Sequence, residues 1–151
     1  MFHPATQSWF DSAFPGATPV QIASWAEISS KRDVLIAAPT GSGKTFAAFL
    51  CAIDELVVQS RASALPDGVQ ILYVSPLKAL SNDIEKNLQI PLAGIDAWLE
   101  SNSQRLSGIR AMVRTGDTTP VAMYAENSLR SAIRYLPTRL AATVPKIPTP
   151  A

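Results

Sequence analysis

The chain has 151 residues, of which 47% are hydrophobic, and a formal net charge of +1. This length allows one compact domain with a genuine core and leaves no room for a second. The charge is unevenly placed: residues 1–100 carry 6 basic and 10 acidic side chains, whereas residues 101–151 carry 7 basic and 2 acidic ones. A basic end can mark a nucleic-acid surface.

Composition also argues against a membrane or secreted protein. No stretch reaches the ~18 to 20 consecutive apolar residues of a membrane span, and the first five residues lack a basic segment followed by an apolar one. A single cysteine, Cys51, cannot form an internal disulfide, so we expect a cytoplasmic protein with a buried free thiol there. His3 is the only histidine, and we expect it in a frayed terminus, which excludes histidine-based metal sites and catalysis.

Two helices are predicted before the first strand. One covers residues 5–13, and a turn follows at 14–17. The second has the pattern of a capped start, with Thr18 as the N-cap and Gln21 at the third helical position. Its apolar stripe is predicted to be Ile22, Trp25 and Ile28.

The rest of the chain alternates strands and helices. Apolar runs predict parallel strands, and residues recurring at helical spacing predict the connecting helices. This order is typical of a parallel α/β sheet with helices on both faces, in which ligands bind at the carboxyl ends of the strands. The predicted elements are a strand over 34–37, a helix from about 43 to 58, a strand over 69–74, a helix over 77–87 interrupted at Pro91 and resumed through Trp98, and a strand over 109–113.

The segment Ala38–Thr45 has the pattern of a phosphate-binding loop. Gly41 and Gly43 allow the backbone N–H groups to turn toward one point, at which the following helix also directs its positive end. In this pattern Lys44 reaches the β- and γ-phosphates of a nucleoside triphosphate, and the Thr45 hydroxyl ligates Mg²⁺. The predicted phosphate-loop residues are Thr40, Gly41, Ser42, Gly43, Lys44 and Thr45, with Lys44 and Thr45 as the catalytic pair.

Four segments together resemble the first motor domain of superfamily 2 nucleic-acid helicases, of the DEAD/DEAH-box-like kind, and most closely the large helicase-related (Lhr) group. The resemblance covers about residues 9–118. The matching segments are Phe14–Gln21 as the adenine-recognising motif, Ala38–Thr45 as motif I, Tyr73–Leu80 with Asn82 and Asp83 as motif Ia, and Val113–Thr118 as motif Ib.

The resemblance implies a partial RecA-like P-loop NTPase domain that binds ATP and Mg²⁺. It implies that Gln21 holds adenine, and that single-stranded nucleic acid, DNA rather than RNA, lies against the two later motifs. No protein partner can be inferred from it. The nucleic-acid-binding residues carried over from the family are Ser75, Pro76, Lys78, Arg114, Thr115, Gly116 and Asp117.

Simpler interpretations of these residues stay open. Gln21 could only complete a capping box, which is compatible with adenine binding. Lys78 could be a solvated helix residue, and Arg114 a charge at a strand end. Gly116 could be a turn glycine with Asp117 beside it.

Part of the family pattern is missing. A complete motor needs an Asp-Glu pair at the end of a later strand, and this chain has none there. Its only such pair, Asp54–Glu55, follows Lys44 by ten residues in the helix after the loop, where we expect a solvated face. A second motor domain is absent too, so we do not expect unwinding by this chain alone.

The composition changes near residue 120. Residues 121–151 hold 6 Ala, 4 Pro and 3 Arg, with Glu126 as the single acidic residue. We therefore divide the chain into a partial helicase ATP-binding domain, 1–120, and a divergent tail, 121–151, in which 121–136 could form a helix. Our hypothesis is a frameshift or truncation near residue 119. The missing strand should leave an apolar edge and face uncovered, which predicts marginal solubility.

Two functions from other classes compete with the helicase interpretation. A P-loop kinase or phosphotransferase would also use Lys44 and Thr45, but the basic acceptor-binding lid and the metal-binding acid that it needs are not evident. A non-catalytic fragment could bind nucleic acid or related chains through its basic tail.

Overall fold

A computed structural model of the chain describes residues 2–66, 68–74, 81–113 and 132–136, and of residues 81–86, 113 and 132–136 it describes the backbone alone. The elements within these ranges alternate largely as the sequence predicts. They are α1 (Pro4–Ala13), α2 (Pro19–Ser29), α3 (Lys44–Ala62), β1 (Val69–Val74), α4 (Ser81–Ser101), β2 (Arg110–Val113) and β3 (Ala132–Leu136).

The N-terminus is tied down, so the prediction of a frayed end is wrong. The His3 side chain caps α1 by accepting a hydrogen bond from the Ala5 N–H, and the His3 N–H donates to Asp54 Oδ1 at 2.8 Å. The His3 ring and the Asp54 carboxylate thus accept hydrogen bonds from backbone N–H groups that the start of a helix otherwise leaves without partners. Asp54 therefore serves the packing of α1 on α3, rather than a purely solvated face.

The start of α2 is the predicted capping box. The Thr18 side chain accepts from the Gln21 N–H, and the Gln21 side chain accepts from the Thr18 N–H. The predicted apolar stripe is wrong at Ile22, which is 59% exposed, while Gln21 and Ser24 are buried. Gln21 is buried because its amide packs on Gly43 of the loop, whereas the Ser24 hydroxyl donates to the Val20 carbonyl within α2.

Two long helices build the core against the sheet. α3 runs four residues beyond the predicted end, and α4 continues through Pro91 without the predicted interruption, because Pro91 is itself fully buried among the core residues of α4. Tertiary packing outweighs the local preference of proline to end a helix. The buried core members are Ala5 of α1, Phe49, Ile53, Leu56 and Val57 of α3, Leu88, Leu92, Ile95 and Leu99 of α4, and Ile109 and Ala111 around β2.

The sheet is parallel, with the strand order β1-β3-β2. Tyr135 of β3 is level with Tyr73 of β1 on one side and with Val113 of β2 on the other. The helix considered for residues 121–136 is therefore wrong at 132–136, where the chain forms the middle strand. Ala-Ile-Arg-Tyr-Leu contains the β-branched and aromatic residues that favour strands, and two parallel neighbours supply its hydrogen bonds.

The segment preceding the phosphate loop is not a strand, contrary to the prediction for residues 34–37. Leu35 is 94% exposed, and no strand in the described ranges pairs with this segment. An apolar run becomes a strand only when a neighbouring strand exchanges backbone hydrogen bonds with it, and none of the described strands does so here.

One face of β1 is covered and the other is open. Ile71 and Tyr73 pack on the core formed by α3 and α4, whereas Leu72 and Val74, on the opposite face, are about half exposed. Among the described helices, none combines the length and hydropathy needed to cross a bilayer.

Candidate functional site

The phosphate loop adopts the bend that its glycines predict. Gly41 and Gly43 have φ angles of +82° and +88°, in the left-handed region that glycine adopts without strain. Gly43 is the N-cap of α3, and among the described residues no side chain caps that helix start. The first N–H groups of α3 are thus available to an anion, and the positive end of the helix dipole lies at the same point.

Lys44 lies across this bend. Its Nζ donates to the carbonyl oxygen of Ala38 and to that of Pro39, the latter at 2.8 Å. These carbonyls belong to the first two residues of the loop, so the ammonium group is held over the loop and not directed into bulk water. The Lys44 ammonium group and the uncapped start of α3 therefore lie at the same loop.

The remaining predicted loop residues are brought together as expected. Thr40, Gly41 and Thr45 are exposed, with Thr45 in the first turn of α3 beside Lys44. Ser42 is partly buried, and its Oγ is buried without a hydrogen-bond partner in the described part of the chain. A buried hydroxyl with no partner is costly unless a bound group completes its hydrogen bonds.

Helix α2 and its N-cap contact the loop at two points and the first turn of α3 at a third. Thr18 Oγ1 donates to the Ser42 carbonyl at 3.0 Å, and Trp25 Nε1 donates to the Ala47 carbonyl at 3.1 Å. Between them, the Gln21 amide packs on Gly43, where a Cβ atom would lie 2.6 Å from Gln21 Nε2. Residues 18, 21 and 25 share one face of a helix, and that face lies along the loop.

The contacts of Thr18 and Trp25 were missed by the sequence interpretation. The available signal was their spacing from Gln21 along α2, since the face that carries Gln21 also carries both. The Gln21 side chain is 5% exposed, and its Oε1 accepts from the Thr18 N–H at 2.9 Å. The capping box is therefore present, and adenine binding by Gln21 stays a prediction.

An aromatic cluster packs on the first turn of α3. Phe46, which follows Thr45, has its ring centroid 5.1 Å from that of Phe14 and 5.8 Å from that of Trp9. The ring centroid of Phe10 lies 5.1 Å from that of Phe14 and 5.4 Å from that of Trp25. This cluster fixes α1, α2 and the start of α3 to one another.

The predicted nucleic-acid residues lie outside the described ranges. Their flanks are described: β1 ends at Val74 and β2 at Val113, and both strands run parallel to β3. The two strand ends are therefore at the same edge of the sheet. The residues concerned are Ser75, Pro76, Lys78, Arg114, Thr115, Gly116 and Asp117.

The Asp54–Glu55 pair does not form a metal site. Asp54 accepts from the His3 N–H, and Glu55 pairs with Lys31. Within the described residues, no group of three or more His, Cys, Asp or Glu side chains could hold a metal ion. The only carboxylate pair of this kind in the sequence is thus engaged elsewhere.

Cys51 is buried, as predicted. It is 8% exposed and lines an open cavity of about 330 Å³ together with Phe2, Asp54 and Val58. Burial, and then the nearby Asp54 carboxylate, raise the pKa of the Cys51 thiol to about 11. The thiol is therefore protonated and unreactive near neutral pH.

Comparisons with known proteins agree with the geometry of the loop. A profile of the DEAD/DEAH box helicase family matches residues 18–133. The chain is 48% identical over 119 residues to the Lhr helicase/probable uracil glycosylase of Mycolicibacterium smegmatis, covering 79% of this chain and 8% of that protein. It is 47% identical over 113 residues to the ATP-dependent helicase Lhr-Core of Methanocaldococcus jannaschii, covering 75% of this chain and 13% of that protein.

A solved structure supports the same relationship. The structure of the Mycobacterium smegmatis helicase Lhr bound to ssDNA and AMP-PNP matches with a TM-score of 0.77 and 44% identity, over 90% of this chain and 17% of that one. The predicted parallel α/β fold of the RecA-like P-loop type is thereby confirmed. The chain spans only a small part of the length of these relatives.

Proposed function

The chain belongs to the DEAD/DEAH box helicase family, and we propose that it is the ATP-binding portion of an ATP-dependent DNA helicase of the Lhr type. The observation that carries the proposal is the position of Lys44 across an uncapped helix start. A cation and converging N–H groups favour a phosphate chain over any neutral ligand.

The residues of the loop fit a nucleoside triphosphate with its Mg²⁺. Thr40 to Lys44 would hold the phosphates, and the exposed Thr45 hydroxyl would ligate the metal. The buried Ser42 hydroxyl, without a partner among the described residues, would gain one from a bound anion. Gln21 would hold adenine through the part of its amide that the capping box leaves free.

Nucleic acid is the second proposed ligand. Support comes from the common edge at which β1 and β2 end, and from the related helicase whose structure contains ssDNA. We assign the contacts to Ser75, Pro76, Lys78, Arg114, Thr115, Gly116 and Asp117, and we favour single-stranded DNA over RNA.

Hydrolysis and unwinding are assigned to longer relatives. The Asp54–Glu55 carboxylates contact His3 and Lys31 instead of facing the loop. We further propose a cytoplasmic location, which the buried free thiol of Cys51 supports.

The test is nucleotide binding by the full 151-residue chain. Binding is measured as the change in fluorescence anisotropy of a fluorescent ATP analogue in the presence of Mg²⁺. Lys44→Ala should weaken binding about 100-fold or more, because it removes a charged donor to the phosphates. Lys31→Ala is the matched control. Lys31 follows the end of α2 and pairs with Glu55 of α3, so its removal should leave the affinity unchanged. Equal affinity of the Lys44 variant and the unmodified chain would refute the proposal.

A further inference from the structure

Trp25 connects α2 to the start of the nucleotide-binding helix. Its indole N–H donates to the Ala47 carbonyl at 3.1 Å. Ala47 lies two residues beyond the phosphate loop, at the end of the first turn of α3. Thr18 and Gln21 contact the loop itself, whereas Trp25 reaches past it to α3. Trp25 is thus the last of three anchors along one face of α2.

Ala47 is the residue through which this anchor can act on the loop. Its own N–H donates to the Gly43 carbonyl at 2.9 Å, and this bond closes the first turn of α3. Ala47 is fully buried, so a shift of this residue would also disturb the side chains packed around it. Any displacement of Ala47 changes the direction of the turn that contains Lys44 and Thr45.

The indole ring is itself held in place. Its centroid lies 4.8 Å from that of Phe2 and 5.4 Å from that of Phe10, with interplanar angles of 75° and 85°. These edge-to-face contacts leave the N–H directed at Ala47. Phe2 and Phe10 precede residue 18, where the match to the family begins.

We propose that Trp25 is a positioning residue for the nucleotide site, holding the first turn of α3 so that its free N–H groups and Lys44 converge on the phosphates. The inference rests on the proposed ATP-binding function. It predicts that loss of this anchor weakens binding of the phosphate chain and leaves the adenine contact unchanged.

The primary test is Trp25→Phe in the full chain, because phenylalanine keeps an aromatic ring between Phe2 and Phe10 and removes only the donor. The affinities for the fluorescent ATP analogue and for inorganic tripolyphosphate should both fall about three- to tenfold, the range of one hydrogen bond. A merely structural role would lower the urea midpoint and leave the affinity of the folded protein unchanged.

Ile22→Ala is the control on the same helix, since Ile22 is largely exposed. It should leave both affinities at the level of the unmodified chain. A Trp25→Phe variant that binds both ligands as tightly as the unmodified chain would overturn the inference alone. Failure of the unmodified chain to bind either ligand would instead overturn the proposed function, and the inference with it.

A second measurement needs no folded Trp25 variant. In the unmodified chain labelled with ¹⁵N-tryptophan, tripolyphosphate should shift the indole N–H signal of Trp25. The signal of Trp98, whose ring contacts His3, should stay in place. A Trp25 signal that stays in place while tripolyphosphate binds would refute the positioning role.

Discussion

The side-chain amide of Gln21 packs so closely on Gly43 that a Cβ atom at residue 43 would lie 2.6 Å from Gln21 Nε2. Gly43 thus meets two demands at once, a left-handed φ of +88° and a close approach of another helix. The family pattern requires glycine at this position for the first reason, and the structure adds the second.

Gly43→Ala should therefore disturb both the loop and α2. The left-handed backbone costs an alanine about 1 to 2 kcal/mol, and the Gln21 amide must also move. We expect a lower free energy of unfolding in urea and a loss of ATP-analogue binding. Gly16→Ala is the control, because no atom lies within 4 Å of a Cβ atom there. Two variants with the same stability and affinity would contradict the packing described.

Thr18 should matter through its hydroxyl. Thr18→Val removes the cap on α2 and the bond to the Ser42 carbonyl, and it should lower the free energy of unfolding by about 1 kcal/mol. Thr18→Ser keeps both interactions and should stay close to the unmodified chain. The two variants are compared by urea unfolding monitored by circular dichroism. If the serine variant is as unstable as the valine variant, the hydroxyl does not stabilise the fold.

From the raised pKa of the Cys51 thiol we expect the free energy of unfolding to depend on pH. Its pKa is raised from 9.0 to about 11 in the folded chain, so the folded state retains the thiol proton where the unfolded state loses it. This contribution is fully present below pH 9 and is lost as the pH rises toward 11. The fall in stability across this window should be steeper for the unmodified chain than for Cys51→Ala. Parallel curves for the two proteins would exclude the effect.

Self-association is expected from the exposed apolar residues near the loop and on β1. Leu35 is almost fully exposed, Leu72 and Val74 are half exposed, and a net charge of +1 gives little repulsion between copies. Leu35→Glu should reduce the sedimenting mass in dilute buffer. Gln104→Glu introduces the same charge at an exposed polar position and serves as the control. A monomeric unmodified chain would contradict the prediction of marginal solubility.

The phosphate loop was predictable from sequence because its geometry is local. Glycines at 41 and 43, followed by Lys44, determine the bend with little help from the rest of the fold. The capping box of α2 is local in the same sense, since Thr18 and Gln21 are three residues apart. The comparisons confirm the helicase family that these segments indicated.

The errors arose where distant contacts decide. Residues 34–37 have the composition of a strand, but a strand needs a neighbour that local sequence cannot supply. Pro91 was expected to break α4, yet its burial in the core retains the helix. His3 appeared free because its partner, Asp54, is 51 residues away. The ring of Trp25 packs on Phe2 and Phe10 as a member of an apolar stripe would, but the bond from its indole N–H to a carbonyl of α3 was not foreseen.

Of the three strands that the structure describes, the middle one comes last in the chain. β1 and β2 hydrogen-bond to β3 and not to each other, so the sheet cannot assemble until Leu136 has been synthesised. About sixty residues separate β1 from its partner, and closing so long a loop is slow compared with the formation of the helices. On the ribosome, the phosphate loop and its helices would therefore emerge and pack before the sheet forms beside them.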